Sequence, residues 1–218
     1  MHERDNERDN ELVPGPRLRH IEILLDRSGS MWDVKEDTEG GLEAFLHTQR
    51  EVEVPTTVTL RQFDDEYEVV YEAKPLEDVP QFRLVPRGRT ALLDAIGRTL
   101  RKVGRRLEQI PAGWRPDEVI VVIVTDGRDN ASQRYSPDQI NGLIREHREG
   151  PNGWTFVFLG ANQDAFSVAG ELGIPRNTTL PYSSDRTEDS MTSAGHMVSR
   201  GTRHGRFAFT DDERDTAL

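Results

Sequence analysis

Alternation of strand and helix patterns constrains the fold of this chain more than any other feature. The run His20-Ile-Glu-Ile-Leu-Leu25 reads as a buried strand, and so does Val119-Ile-Val-Val-Ile-Val124. A helical pattern follows the first run, with Val34, Leu42, Phe45 and Leu46 on one face. Val58 to Phe63 and Tyr67 to Tyr71 read as two short strands, and Asp64-Asp65-Glu66 between them as a hairpin turn. Leu92, Ile96, Leu100, Val103 and Leu107 recur at steps of three and four, which predicts a helix ending before the breaker-rich Pro111-Ala-Gly-Trp-Arg-Pro116. Ser136-Pro137 with Gln139 is a capping-box spacing with proline at the first helical position. A strand at 154–159, a helix at 164–172 stopped by Gly173 and Pro175, and a short edge strand at 177–180 complete the pattern. It predicts an α/β fold: a doubly wound, mostly parallel central sheet with one antiparallel edge strand and helices on both faces.

Residues 18–182 would form this domain. The segment 1–17 is a charged lead in which Glu3-Arg-Asp-Asn6 repeats as Glu7-Arg-Asp-Asn10. It has no apolar face to bury and is expected to be disordered. Residues 183–218 read as a polar C-terminal extension, helical and packing on the domain. Met191, Ala194 and Val198 share a face there, Phe207 and Phe209 act as anchors, and Thr210 with Glu213 opens a last short helix.

A net charge of −11 argues against nucleic acid and against an anionic membrane surface as partners. No apolar run approaches the roughly 20 residues that span a bilayer. The charged start of the chain does not read as a secretory signal, and together these features point to the cytoplasm. The absence of cysteine excludes disulfides and thiolate metal sites.

The chemistry sits in three loops. Asp26-Arg-Ser28-Gly-Ser30 leaves the carboxyl end of the first strand, Thr125-Asp126-Gly127 ends the second, and Arg87-Gly-Arg-Thr90 precedes a helix. Hard oxygen ligands of this kind suit Mg²⁺ or Mn²⁺. In doubly wound sheets ligands bind where strand order reverses, so adjacency of the two strands would bring Asp26 and Asp126 together. Taken singly, each residue also has a plain structural role: Asp26 or Thr90 as a helix cap, Ser28 and Ser30 in a turn, Asp126 as a strand-end acid. Arg27, Arg87, Arg89 and Arg128 fall in the same loops on an otherwise acidic chain. They read as a rim steering an anionic group to the ion, or as ion-pair partners of acids such as Asp33 and Asp129. Trp32 is either an exposed anchor in that rim or packing for the helix start.

The order Asp26, Ser28, Ser30, Thr90, Asp126 resembles the metal-ion-dependent adhesion site of von Willebrand factor A domains. The likeness covers about residues 18–181, and the stretch from Thr187 through Phe207-Ala-Phe-Thr-Asp-Asp-Glu-Arg214 also resembles small stand-alone bacterial members. It implies a protein-binding module in which Mg²⁺ or Mn²⁺ is held by those five residues. A partner's Asp or Glu side chain, or a terminal carboxylate, would complete the coordination, with Thr90 as the switchable ligand. An adaptor role for larger assemblies is the implied setting, and no residue specifies an oligomeric state. Two alternatives stand beside it. One is a Mg²⁺-dependent phosphoryl-transfer or hydrolytic enzyme using Asp26. Dehalogenase-type phosphatases place a second Asp, the general acid, where this chain has Ser28. No nucleophile elbow, phosphate-binding Gly-Lys loop or zinc-type histidine spacing occurs, so the expectation is that the protein is not an enzyme. The other alternative is a structural module braced by its metal.

Overall fold

A computed structural model describes residues 17–151, 153–161 and 164–218. The charged lead, apart from Arg17, lies outside the described residues. Six strands form one sheet: β1 (Arg19–Asp26), β2 (Thr56–Phe63), β3 (Tyr67–Pro75), β4 (Glu118–Thr125), β5 (Thr155–Ala161) and β6 (Thr179–Tyr182). Their order is β3-β2-β1-β4-β5-β6. Every neighbouring pair is parallel except the β2–β3 hairpin, which makes β3 the antiparallel edge. This is the predicted fold class. Ile23 lies opposite Leu60 on one side and Val122 on the other, so β1 and β4 are neighbours where the strand order reverses.

Alternation along the strands divides the apolar side chains between two faces. Ile21, Ile23, Leu25, Ile120, Val122, Val124, Val157 and Leu159 form one core layer, under α1 (Lys35–Arg50) and α5 (Thr187–His204). Leu24, Val119, Val121, Ile123, Phe156 and Phe158 form the other, under α2 (Leu92–Gln109), α3 (Pro137–Glu149) and α4 (Ala165–Glu171). The Ser136 capping box is present at α3, and Gly173 ends the α4 segment with φ +81.

The apolar core runs past the expected boundary at 182. α5 is one of the two helices that cover the first face, with Met191, Ala194, Met197 and Val198 in the core. It meets α1 at backbone distance. A Cβ on Gly195 would stand 3.2 Å from Phe45 Cα, and one on Gly41 would stand 2.9 Å from Met191 Cβ. Beyond it, Phe209 is buried and half-buried Phe207 lies over Gly201, before α6 (Asp211–Thr216) with its Thr210 capping box. The described residues from Leu18 to Leu218 therefore share one layered structure.

The second face is polar toward β2. Glu22 and Arg61 are fully buried and paired Oε1 to Nε, and Arg61 Nη2 donates to Glu72 Oε1 at 2.8 Å. No helix among the described residues is long and apolar enough to cross a membrane.

Candidate metal centre

Parallel register sets the site. Because Leu25 lies opposite Val124, Asp26 at the end of β1 comes level with Thr125 and beside Asp126. Both Asp26 oxygens are engaged: Oδ1 accepts the Ser28 backbone N–H at 2.7 Å, and Oδ2 accepts the Thr125 hydroxyl at 2.7 Å. The chain then turns through a short 3₁₀ segment, Gly29–Trp32, before α1. That turn brings the Ser28 and Ser30 hydroxyl oxygens to 3.1 Å, and Ser30 Oγ donates to Asp126 Oδ1 at 2.8 Å. Thr90 arrives from the loop before α2. Its hydroxyl stands 3.9 Å from where a Cβ on Gly127 would sit, next to Asp126. Among the described residues that hydroxyl has no hydrogen-bond partner, although Thr90 is buried. All five predicted residues thus sit on three adjoining loops at the switch point of the sheet.

Backbone hydrogen bonds lock those loops together. Arg87 N donates to Arg27 O at 2.7 Å, Gly29 N to Gly88 O at 3.2 Å, and Asn130 N to Thr90 O at 2.9 Å. Gly88 makes the close approach with φ +69, and a Cβ there would collide with Asp65. Asn130 Oδ1 in turn accepts the Thr90 N–H at 3.0 Å.

The charge balance is the telling property. Asp26 is fully buried and Asp126 nearly so. Among the described residues no arginine, lysine or histidine pairs with either carboxylate. Burial, reinforced by the neighbouring Asp126, lifts Asp26 to about 6, and burial raises Asp126 as well. Burial and the two carboxylates also push up the phenol of Tyr182, buried at the end of β6. Two negative groups out of water, with three hydroxyls beside them, are a donor set chemically matched to a hard divalent cation. No group of three His, Cys, Asp or Glu side chains able to hold a metal ion occurs among the described residues, here or elsewhere, so the donor set of this site rests on two acids and three hydroxyls.

The rim residues are distributed differently from one another. Trp32, 60% exposed, and the exposed Arg89 and Arg128 surround the loops. Arg27 is buried instead, its guanidinium on Asp64 at 3.1 Å and Glu68 at 2.6 Å. Arg87 is half-exposed and pairs with Asp64 at 2.9 Å and with Glu66. Asp64 and Glu66 of the β2–β3 turn and Glu68 at the start of β3, not Asp33 or Asp129, take these two arginines. Asp129 accepts backbone N–H groups of its own loop. Thr125, Asn130 and Tyr182 are the site residues the motif does not contain. Thr125 was legible as the residue level with Asp26 on a neighbouring strand; Asn130 and Tyr182 carry no sequence signal.

Comparison with models of known protein families finds no match, and comparison with curated proteins finds none. Solved structures do match. Proximal thread matrix protein 1 from the mussel byssus is 16% identical with TM-score 0.59, over 84% of this chain and 47% of that one. The von Willebrand factor type A protein from Catenulispora acidiphila is 16% identical with TM-score 0.53, over 83% of this chain and 43% of that one. Manganese-loaded TRAP protein of Plasmodium vivax is 12% identical with TM-score 0.54, over 78% and 70%. The chain spans less than half the length of the first two. Their shared architecture identifies the fold as that of a small von Willebrand factor A domain.

Proposed function

We propose that the protein is a metal-dependent binding module. Asp26, Ser28, Ser30, Thr90 and Asp126 would hold Mg²⁺ or Mn²⁺, and the occupied site would capture a carboxylate of a protein partner. The supporting observation is the pair of buried carboxylates linked through the Ser28 and Ser30 hydroxyls and lacking any cationic side chain. A bound divalent ion would supply the missing positive charge and a Lewis-acidic position for an incoming carboxylate. Within the chain, Thr125 and the Ser28 N–H orient Asp26, and Asn130 fixes the Thr90 backbone. Exposed Arg89, Arg128 and Trp32 lie where a docking partner would touch the loops.

The proposed activity is binding without turnover. Both oxygens of Asp26 are committed to hydrogen bonds, which leaves it poorly disposed as a nucleophile, and position 28 offers a hydroxyl in place of a general acid. A purely bracing metal is less needed, because backbone hydrogen bonds already join the three loops. The test uses a peptide ending in glutamate and its amide-blocked, Gln-terminated analogue. Mg²⁺-dependent binding of the first alone, lost in Ser28→Ala, is the expected result. Equal binding of both peptides, or binding unchanged in EDTA, would refute the proposal.

A further inference from the structure

The solvent face of α2 is basic on an acidic protein. Arg98, Arg101, Lys102, Arg105 and Arg106 follow one another with no acid between Asp94 and Glu108, in a chain of net charge −11. Steps of three and four place them along one side of the helix, over a rise of about 12 Å. Their carboxylate supply is short. Lys102 at 3.4 Å and Arg106 at 3.7 Å share Glu72, which Arg61 already engages. Arg98, Arg101 and Arg105 have no carboxylate partner among the described residues. Aromatic rings stand in: Arg98 lies 4.4 Å from the Tyr67 ring centre and Arg101 lies 6.0 Å from that of Tyr135. These contacts orient the guanidiniums without neutralising them.

The cations line two adjoining troughs. One, of about 470 Å³, is walled by the basic residues of α2. The other, of about 860 Å³, shares Arg98 and Tyr135 with it, adds Arg89 and Arg134, and reaches Ala91 beside the Thr90 loop. We propose that this double trough is a second docking surface, for an extended, carboxylate-rich segment of a partner protein. In an extended peptide, alternate side chains on one face are spaced about 6.6 Å apart. One turn of α2 rises about 5.4 Å, so successive carboxylates meet Arg98, then Arg101 or Lys102, then Arg105, with flexible side chains absorbing the mismatch. Charge complementarity selects the partner class, and the upper trough narrows it. Asp65, Glu66 and Asp94 line that part and would oppose a continuous phosphate backbone, whereas a peptide can place neutral residues there. The surface does not depend on the metal centre, although its upper end lies beside it.

The experiment titrates the full chain, in EDTA, with a fluorescent peptide of about twelve alternating Glu and Ser residues. Saturable binding should weaken at least about tenfold when salt rises from about 50 mM to about 300 mM. A similar loss, about tenfold or more, is expected at low salt in Arg98→Glu/Arg101→Glu/Arg105→Glu. Arg206→Glu, an exposed change beyond α5 on the other side of the sheet, should leave binding unchanged. Thermal melting establishes that the triple variant is folded. No saturable binding, equal binding by the folded triple variant, or tighter binding of an oligothymidylate of equal charge would overturn the proposal. Because EDTA removes divalent ions, none of these outcomes bears on the metal-site reading.

Discussion

Replacing Asp26 by Asn should stabilise the metal-free protein while abolishing metal uptake. Burial lifts this carboxyl from 3.8 to about 6. A group raised in the fold favours folding fully below its unfolded value, and that contribution is lost as pH rises through the folded value. The gap is about two pH units at roughly 1.4 kcal/mol each, so the ionised side chain costs the metal-free fold about 3 kcal/mol above pH 7. Asn removes that charge and keeps the shape. Its Oδ1 can still accept the Ser28 N–H. Its amide can donate to Thr125 Oγ1, whose own proton then turns to Gly127 O, 3.1 Å away. With both hydrogen bonds retained, a gain of about 2–3 kcal/mol should raise Tm by roughly 4–12 °C for a domain of this size. Scanning calorimetry in EDTA at pH 8 reads the difference directly, and it should shrink toward zero as pH approaches 4. In saturating Mg²⁺ the order should narrow or reverse, since ligand at about a hundred times its Kd stabilises by about 2.7 kcal/mol. A metal-free Asp26→Asn protein that melts below the native one at pH 8 would refute the reasoning.

Three further outcomes follow from other parts of the fold. Glu22→Ala leaves Arg61 buried beside an exposed Glu72 alone and should cost about 3–5 kcal/mol in urea unfolding, whereas Glu22→Gln/Arg61→Met should recover much of that loss. Gly195→Ala inserts a methyl group 3.2 Å from the Phe45 backbone and should cost about 1–3 kcal/mol by the same assay. His147 stacks on Trp154 with ring centres 3.9 Å apart, and burial lowers its pKa below 6.5. The neutral ring favours the fold above pH 6.5, and that contribution falls as pH drops through the lowered value. His147→Phe should therefore remove part of the stability loss between pH 6.5 and 5, measured by thermal melting.

The sheet was legible because its inner strands are aliphatic runs separated by well-marked helix starts and stops. Ser136-Pro137 and Gly173 do locally what their chemistry predicts. The convergence of the candidate loops was legible for a related reason: strand ends carrying hard oxygens come together once β1 and β4 are neighbours. α5 reads poorly because it buries small and polar residues. Ser190, Ser193, Gly195, Ser199 and Thr202 are all buried, with Gly195 and Ser199 against α1, so a core helix resembles a polar extension. Arg27 misleads for a different reason. Its position in the motif loop suggests the rim, but Asp64 and Glu68, 37 and 41 residues away in sequence, draw it inward. The basic side of α2 is visible as a sequence run, yet its significance depends on Glu72 and Tyr67 standing across from it on β3.

The central claim is that five oxygen-bearing side chains from three loops hold one divalent cation. A crystal grown with Mn²⁺ and measured near the manganese absorption edge tests it most directly. The account predicts a single anomalous peak enclosed by Asp26, Ser28, Ser30, Thr90 and Asp126, absent from the Asp26→Asn protein. A peak elsewhere, or none in a well-ordered native crystal, would contradict it.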